Sequence, residues 1–454
     1  MRAFRRGYLG LVLVSFCALA GAARAQDWAG EQVHEAAPAA RPCPDSVAAL
    51  ASCYGGQDAN GAYYLIARPH QPNVSLVVHA HGGPRLTAPA ADDPDEDLDR
   101  FAVMVADGYA WIGSSYRREG YGVRRAAADV DHSRALYWRV FGRPERTFLH
   151  GQSWGGQIAA KAAELYAFSA EGDQIYDGVL ITNGLLAGAV EAYAFRFDLR
   201  VVYQFYCANH PTAEEAQYPL WHGLPPGATL TRQALRERVE SCTGLQASAS
   251  ARSPSQARAL ANILAVTGVQ ERALMRHLEW ATFTFPSLIA IAGGNPFDNR
   301  ARVYSGSDDD AALNAGVQRF AADPQAQARL AYDSEPSGLI AIPVLSLHAI
   351  DDPVASVGLQ DAYARTIARA GRDHLFLGLR VQSDDHSRMP PGLVGATLAT
   401  LQGWSDSASV PNLDAIAAAC LARGSGVDEC SLLRRAEATR TADHGAPGQS
   451  NRSR

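Results

Sequence analysis

Hydrophobic and polar positions alternate in short blocks along most of this chain, and the blocks change period from one to the next. Ala62–Arg68 and Val74–His79 are short, mainly apolar runs of strand length, the second ending at His81-Gly82-Gly83. Asp95–Asp107 then places Leu98, Phe101, Ala102 and Val105 at spacings of three and four, which predicts a helix. Tyr109–Ser114 reads as a buried strand, Val123–Phe141 as a helix, Thr147–His150 as a strand, Ser153–Phe168 as an Ala-rich helix and Tyr176–Thr182 as another strand. After a long interruption the pattern returns with strand Ile342–His348, helix Leu359–Ala370, strand Leu375–Val381 and a closing helix Pro391–Trp404. Strands and helices alternating in this way predict an α/β chain with a mostly parallel sheet covered by helices on both faces.

The interruption, residues 185–337, has its own character. It is crowded with aromatic residues at its start, helical over Leu230–Ser241 and Ser255–Leu278, and loop-like around Gly293–Asp310. It reads as a largely helical cap inserted into the sheet. The chain therefore divides into a leader at 1–25, a lead-in at 26–60, core halves at 61–184 and 338–405 flanking the cap, and an extension at 406–454 whose end is polar. No internal repeat is apparent.

The leader carries Arg2, Arg5 and Arg6, an apolar stretch from Tyr8 to Ala20, and Ala23-Arg24-Ala25 as a small-x-small cleavage pattern. That is the pattern of an export signal, with Gln26 as first mature residue and a periplasmic or extracellular destination. The apolar stretch is short for a membrane span, and no later segment reads as one. Arg5-Arg6-Gly7-Tyr8-Leu9 touches the twin-arginine pattern without its flanking residues, so the export route stays open.

Composition adds less. A hydrophobic fraction of 47% suits a globular core, and a formal net charge of −6 gives no basic footprint for nucleic acid. Beyond Cys17 of the leader, six cysteines fall into three local pairs, Cys43/Cys53, Cys207/Cys242 and Cys420/Cys430. Sequence permits 15 connectivities, of which local pairing is the simplest, and staples of that kind suit an oxidising compartment. No C-x-x-C occurs, so no metal is expected.

The chemistry concentrates at Gly151-Gln152-Ser153-Trp154-Gly155, a G-x-S-x-G placed between a predicted strand and a predicted helix. A serine there sits on a tight turn with its hydroxyl lifted above the sheet, and small neighbours let the flanking backbones approach. A bare hydroxyl needs a base and an acid to orient that base, expected in the chain order Ser, acid, His. His386, in Asp384-Asp385-His386-Ser387 beyond the last strand, is the candidate base. Asp352, just after strand Ile342–His348, is the candidate acid, with Asp351 the alternative. Stabilising an oxyanion takes backbone N–H groups aimed at one point. One is expected from Trp154 and the other from His81-Gly82-Gly83-Pro84, where Pro84 has no N–H, leaving Gly83 and then Gly82.

These two motifs resemble those of α/β-hydrolase-fold serine hydrolases, over about 61–184 and 340–404. Within that group they are similar to secreted esterases and to the proline-iminopeptidase-like and prolyl-oligopeptidase-like peptidases. Arg85 follows the proline where the iminopeptidases usually carry glycine. The resemblance implies a hydrolase of ester substrates working without a cofactor, and the leader adds export. An aminopeptidase reading a free amine through Glu191, Glu214 or Glu215 is the alternative, and a binding protein on a disused hydrolase scaffold is a third. Three features point less clearly. The acidic run Asp92–Asp97 reads as a solvated helix start, and Asp308-Asp309-Asp310 as a solvated loop without the spacing of a calcium loop. Tyr193, Phe195, Phe197, Tyr203, Phe205, Tyr206, Tyr218 and Trp221 suit either a substrate pocket or the cap's own packing.

Overall fold

The computed structural model describes residues 36–407 and 409–434; the leader lies outside them. Ten strands form one sheet: β1 (Ala39–Arg41), β2 (Ala51–Gln57), β3 (Tyr63–Pro69), β4 (Ser75–Ala80), β5 (Ala110–Ser114), β6 (Arg146–Gln152), β7 (Gly178–Thr182), β8 (Val344–Ala349), β9 (Phe376–Val381) and β10 (Leu432–Arg434). Their order across the sheet is β1-β2-β3-β5-β4-β6-β7-β8-β9-β10. Neighbours from β5 through β4 to β9 are parallel, while β1, β2 and β3 at one edge and β10 at the other join antiparallel.

The central strands are sandwiched, which is why they read as continuous apolar runs rather than as alternation. All six residues of β4 and of β8 are buried, as are all five of β5 and β7. Successive side chains nevertheless serve different layers. Leu76 and Val78 join the core beneath helices Val123–Phe141 and Trp154–Tyr166, whereas Val77 joins the opposite core, which contains Leu98, Met104, Leu393 and Leu401 from the other helical layer.

The predicted strands and helices of the core are present, with additions. The lead-in supplies β1 and β2, and β2 pairs over its full length with β3, from Ala51 opposite Pro69 to Gln57 opposite Tyr63. Gly55 and Gly56 inside β2 weaken its strand signature; packing against β3 and the Cys43–Cys53 disulfide hold it. The helix expected over Asp95–Asp107 is two, Asp95–Arg100 and Ala102–Ala106, broken at Phe101. The Phe101 ring packs against His79 and His150, so tertiary contact rather than periodicity sets that break.

Between β7 and β8 the chain makes an excursion of helices that begins with Gly188–Cys207 and ends with Pro324–Ser334. Its two ends meet, the Ala189 N–H donating to Ser334 Oγ at 3.1 Å. Most of the named aromatic residues fill this excursion, with Phe197 stacked on Phe297 at 5.3 Å. Tyr193 differs, stacking on Trp280 at 4.3 Å and meeting Tyr121 of the core at 5.7 Å.

All three local cysteine pairs are disulfides. Cys207–Cys242 closes a loop of sequence separation 35, against 10 for each of the others. In the chain-entropy account, the long loop is worth about 4 kcal/mol and a short one about 3. The Cys207→Ala/Cys242→Ala variant is therefore expected to lose more thermal stability than the corresponding variants of either short loop, as read by circular dichroism melting.

Candidate active site

The G-x-S-x-G segment folds as the spacing requires. β6 ends at Gln152, and the next helix starts at Trp154, leaving one residue, Ser153, to turn the chain. Its φ of 58° with ψ of −122° lies where a side-chain-bearing residue pays of order 1–3 kcal/mol. Ser153 N–H donates to Thr182 O, and Ser153 O accepts from Gly156 and Leu185, which hold the turn in place. Glycine is forced on either side by close approach. A Cβ on Gly151 would lie 2.1 Å from Gly155 O, and one on Gly155 2.0 Å from Ala80 O.

The candidate base and acid arrive from the ends of two other strands. His386 Nε2 lies 2.8 Å from Ser153 Oγ, and its Nδ1 lies 2.7 Å from Asp352 Oδ2. With a neutral ring, Nδ1–H donates to the carboxylate and Nε2 accepts from the serine hydroxyl. Ser153, Asp352 and His386 are each buried. The second Asp352 oxygen accepts from the Val354 and Ala355 N–H groups at 2.7 and 2.9 Å. Burial works against the Asp352 carboxylate, yet the hydrogen bond and charge of His386 and the Ala355 N–H together leave its pKa below the usual carboxylate value. Asp351 is exposed and bonds instead to Gln382, so Asp352 is the acid that meets the imidazole.

Three features near this line were not anticipated. Gln152 and Asn183 both donate to His386 O, each at 2.8 Å, and Asn183 also reaches Asp385 O at 3.1 Å. Asn183 Oδ1 accepts from Ala349 N–H at the end of β8, so one side chain joins the loops after β8 and β9. The available signal was position: Asn183 is a polar residue at the carboxyl end of a buried parallel strand, where sites in such sheets gather.

The third is Asp97, which the acidic run disguised. It is not solvated: it is buried, and His81 Nδ1 lies 2.7 Å from its Oδ2. His79 stands 3.6 Å from the other oxygen and shares a 2.8 Å hydrogen bond with His150. Burial alone would raise the Asp97 pKa, but the charges and hydrogen bonds of His81 and His79 hold it well below the carboxylate range. This anchors the His81-Gly82-Gly83 loop, whose His81 carbonyl also accepts from Tyr116 Oη at 2.9 Å. Gly82 is pressed against Gln152, and Gly83, with φ of 81°, faces open space. Trp154 N–H belongs to the first helical turn, where donors have no partner within the helix.

The acids offered as amine readers lie apart from this cluster. Glu215 pairs with Arg238 at 2.5 Å, and Glu191 and Glu214 are exposed. Asp309 caps the helix Asp310–Gly316, and Asp308 and Asp310 bond to Asn262 and Ser307. Among the described residues no group of three or more His, Cys, Asp or Glu is placed to hold a metal ion. A cavity of about 310 Å³ opens beside the site, lined by His386, Val354 and Asp385 with Arg272 and Arg276 of the excursion.

The Asp97 network yields a pH test. A carboxylate with a depressed folded-state pKa contributes stability that is present above its unfolded value near 4 and is lost as pH falls through the folded one. Asp97→Asn is thus expected to be less stable than the parent at pH 7, with the deficit shrinking below pH 4 in urea titrations across that range.

No family model and no curated protein matches this chain. Similar solved structures include an esterase from Aspergillus oryzae (11% identity, 80% of this chain and 81% of that one, TM-score 0.46). Lipase A from Candida antarctica gives 12% identity, 83% of each chain and a TM-score of 0.43. A hydrolase structure from Legionella pneumophila gives 13% identity, 79% of this chain and 89% of that one, and a TM-score of 0.40. The order β2-β3-β5-β4-β6-β7-β8-β9, with a strained serine turn leaving β6, identifies the α/β-hydrolase fold on its own.

Proposed function

We propose that this chain is an exported serine hydrolase that cleaves carboxylic esters through an acyl-enzyme intermediate. The observation that carries the reading is the unbroken line of hydrogen bonds from Asp352 through His386 to Ser153, at a serine held in a strained turn. Ser153 Oγ attacks the acyl carbon while His386 Nε2 takes the hydroxyl proton, and the carbonyl π pair moves onto oxygen. The N–H groups of Trp154 and Gly83 receive that oxyanion, backed by the positive end of the helix Trp154–Tyr166. Collapse expels the alcohol, which takes its proton from His386. Water then repeats the sequence on the acyl-enzyme and frees the acid. Asp352 stays ionised throughout, fixing the tautomer and supporting the imidazolium.

The ester reading is favoured over an aminopeptidase because none of Glu191, Glu214 and Glu215 lines the cavity beside the site, Glu215 is paired with Arg238, and an ester needs no charged amine partner. Three disulfides in the described residues support export, since such bonds persist in oxidising compartments.

A fluorophosphonate is expected to label the mature protein at Ser153, with rapid turnover of nitrophenyl esters and negligible cleavage of free-amine or blocked aminoacyl anilides. Ser153→Ala should abolish labelling and lower ester turnover by at least about 10³-fold, and Asp352→Asn should reduce kcat by about 10²–10⁴-fold. Anilide cleavage that demands a free amine would move the assignment to the aminopeptidases, and an unlabelled folded protein would sink it.

A further inference from the structure

The turn that carries Asp352 is gripped from outside the core. Asp352 itself ties the inner side of the turn through the Val354 and Ala355 N–H groups. The three carbonyls that follow it are each met by a buried side chain. His277 Nε2 lies 2.8 Å from Pro353 O, Arg196 Nη2 3.2 Å from Val354 O, and His348 Nε2 2.8 Å from Ala355 O. His348 belongs to β8. Arg196 and His277 do not belong to the sheet at all: they come from the helices Gly188–Cys207 and Leu274–Glu279 of the excursion.

The two are also joined to each other, Arg196 Nε donating to His277 Nδ1 at 3.2 Å. An arginine can only donate, so His277 Nδ1 is the bare nitrogen and Nε2 carries the proton that goes to Pro353 O. Arg196 thereby selects the tautomer that lets His277 hold the turn. Burial, followed by the Arg196 charge, lowers the His277 pKa to about 3, so the ring is neutral under ordinary conditions. Burial likewise lowers Arg196 to about 10, which leaves it cationic at neutral pH. The guanidinium lies over the rings of Phe195, Trp280 and Tyr193 at 4.6, 4.8 and 5.2 Å, an aromatic seat that fixes its direction. Trp280 itself opens a π-helical turn, Trp280–Thr284, a distortion of the kind often kept at functional sites. Nearer the surface, Gln270 Nε2 donates to Asp351 O and Arg272 pairs with Asp384, so the same excursion also touches the loop that bears His386.

We infer that Arg196 and His277 are positioning residues for Asp352, so that the helical excursion sets the geometry of the reacting groups as well as covering them. This rests on the hydrolase reading above. Because a misplacement of about 1 Å can cost roughly 10²-fold in rate, releasing the turn should be felt in turnover rather than in substrate binding.

The test is a double-mutant cycle on the mature protein, using one nitrophenyl ester that the parent hydrolyses and a fluorophosphonate as a probe of Ser153. His277→Leu is expected to lower kcat roughly 10–100-fold with KM changed less than about threefold. His277→Gln, whose side-chain N–H can still reach Pro353 O, should recover most of that loss. In an Asp352→Ala background, His277→Leu should alter the labelling rate less than about twofold, because the group it positions is gone. If His277→Leu does not fold, as judged by near-ultraviolet circular dichroism, Arg196→Met takes its place: it keeps an unbranched side chain of similar length and removes the donors to Val354 O and His277 Nδ1. Parent-like kcat in the folded variant, or an undiminished effect in the Asp352→Ala background, would overturn the inference while leaving the hydrolase reading intact. A parent that the probe does not label, or a Ser153→Ala variant that still turns over ester, would overturn both.

Discussion

Everything at the site depends on one steric constraint, the approach of the helix Trp154–Tyr166 to the ends of β6 and β4. The separation is small enough that a single methyl group at Gly151 or Gly155 would drive into backbone carbonyls about 2 Å away. That closeness leaves one residue to reverse the chain and forces Ser153 into a positive φ. The strain persists because the surroundings over-determine it: β4 and β7 pair with β6 on either side, and the Ser153 backbone is bonded to Thr182 O at the end of β7 and to the Gly156 and Leu185 N–H groups. A hydroxyl raised in this way can meet groups carried by distant loops without any of those loops being long.

Around the serine lies a shell of buried polar residues whose job is to hold loops rather than to react. Asp97 and His81 fix the glycine loop, Gln152 and Asn183 fix the carbonyl of His386, and His348 with Arg196 and His277 fixes the turn after Asp352. Loops ordinarily sit at the surface and move more than the elements they connect. Here each is pinned by a donor or acceptor taken from a rigid strand or helix, and a buried polar group that lost its partner would cost about 1–3 kcal/mol. The geometry around Ser153, His386 and Asp352 and the stability of the fold are thus enforced by the same bonds.

How far this could be read from the sequence follows the range of the interactions. Fully buried strands betray themselves as short apolar runs, and the motif Gly151–Gly155 announces its own turn, because both depend on neighbours in the chain. Ser153, His386 and Asp352 were legible as types at expected stations along a sheet, and the structure brings the three within hydrogen-bonding distance. Asp97 was misread as solvated since its partner His81 is 16 residues away and its acidic neighbours do reach solvent-facing arginines. Arg196 and His277 carry no local signature, and Asn183 only its station at the end of β7. Their roles come from contacts with residues 76 to 203 positions distant, which no periodicity encodes. Strand β2 escaped for a related reason, its two glycines hiding a pairing that β3 imposes.

The meeting of the excursion's ends has a bearing on how such a protein can diversify. Ala189 and Ser334 are one hydrogen bond apart although 145 residues separate them, so the sheet experiences the whole excursion as a closed loop rather than as a linker. Segments with adjoining ends are the ones that chains exchange, lengthen or lose most readily, since the host backbone need not shift to admit them. In this molecule that freedom is bounded. A foreign segment could close the same gap and reshape the entrance at will, but it would inherit the duty of presenting two donors to Pro353 O and Val354 O. Modularity in the backbone and dependence in the chemistry coexist across the same seam, and the second limits how far the first can be used.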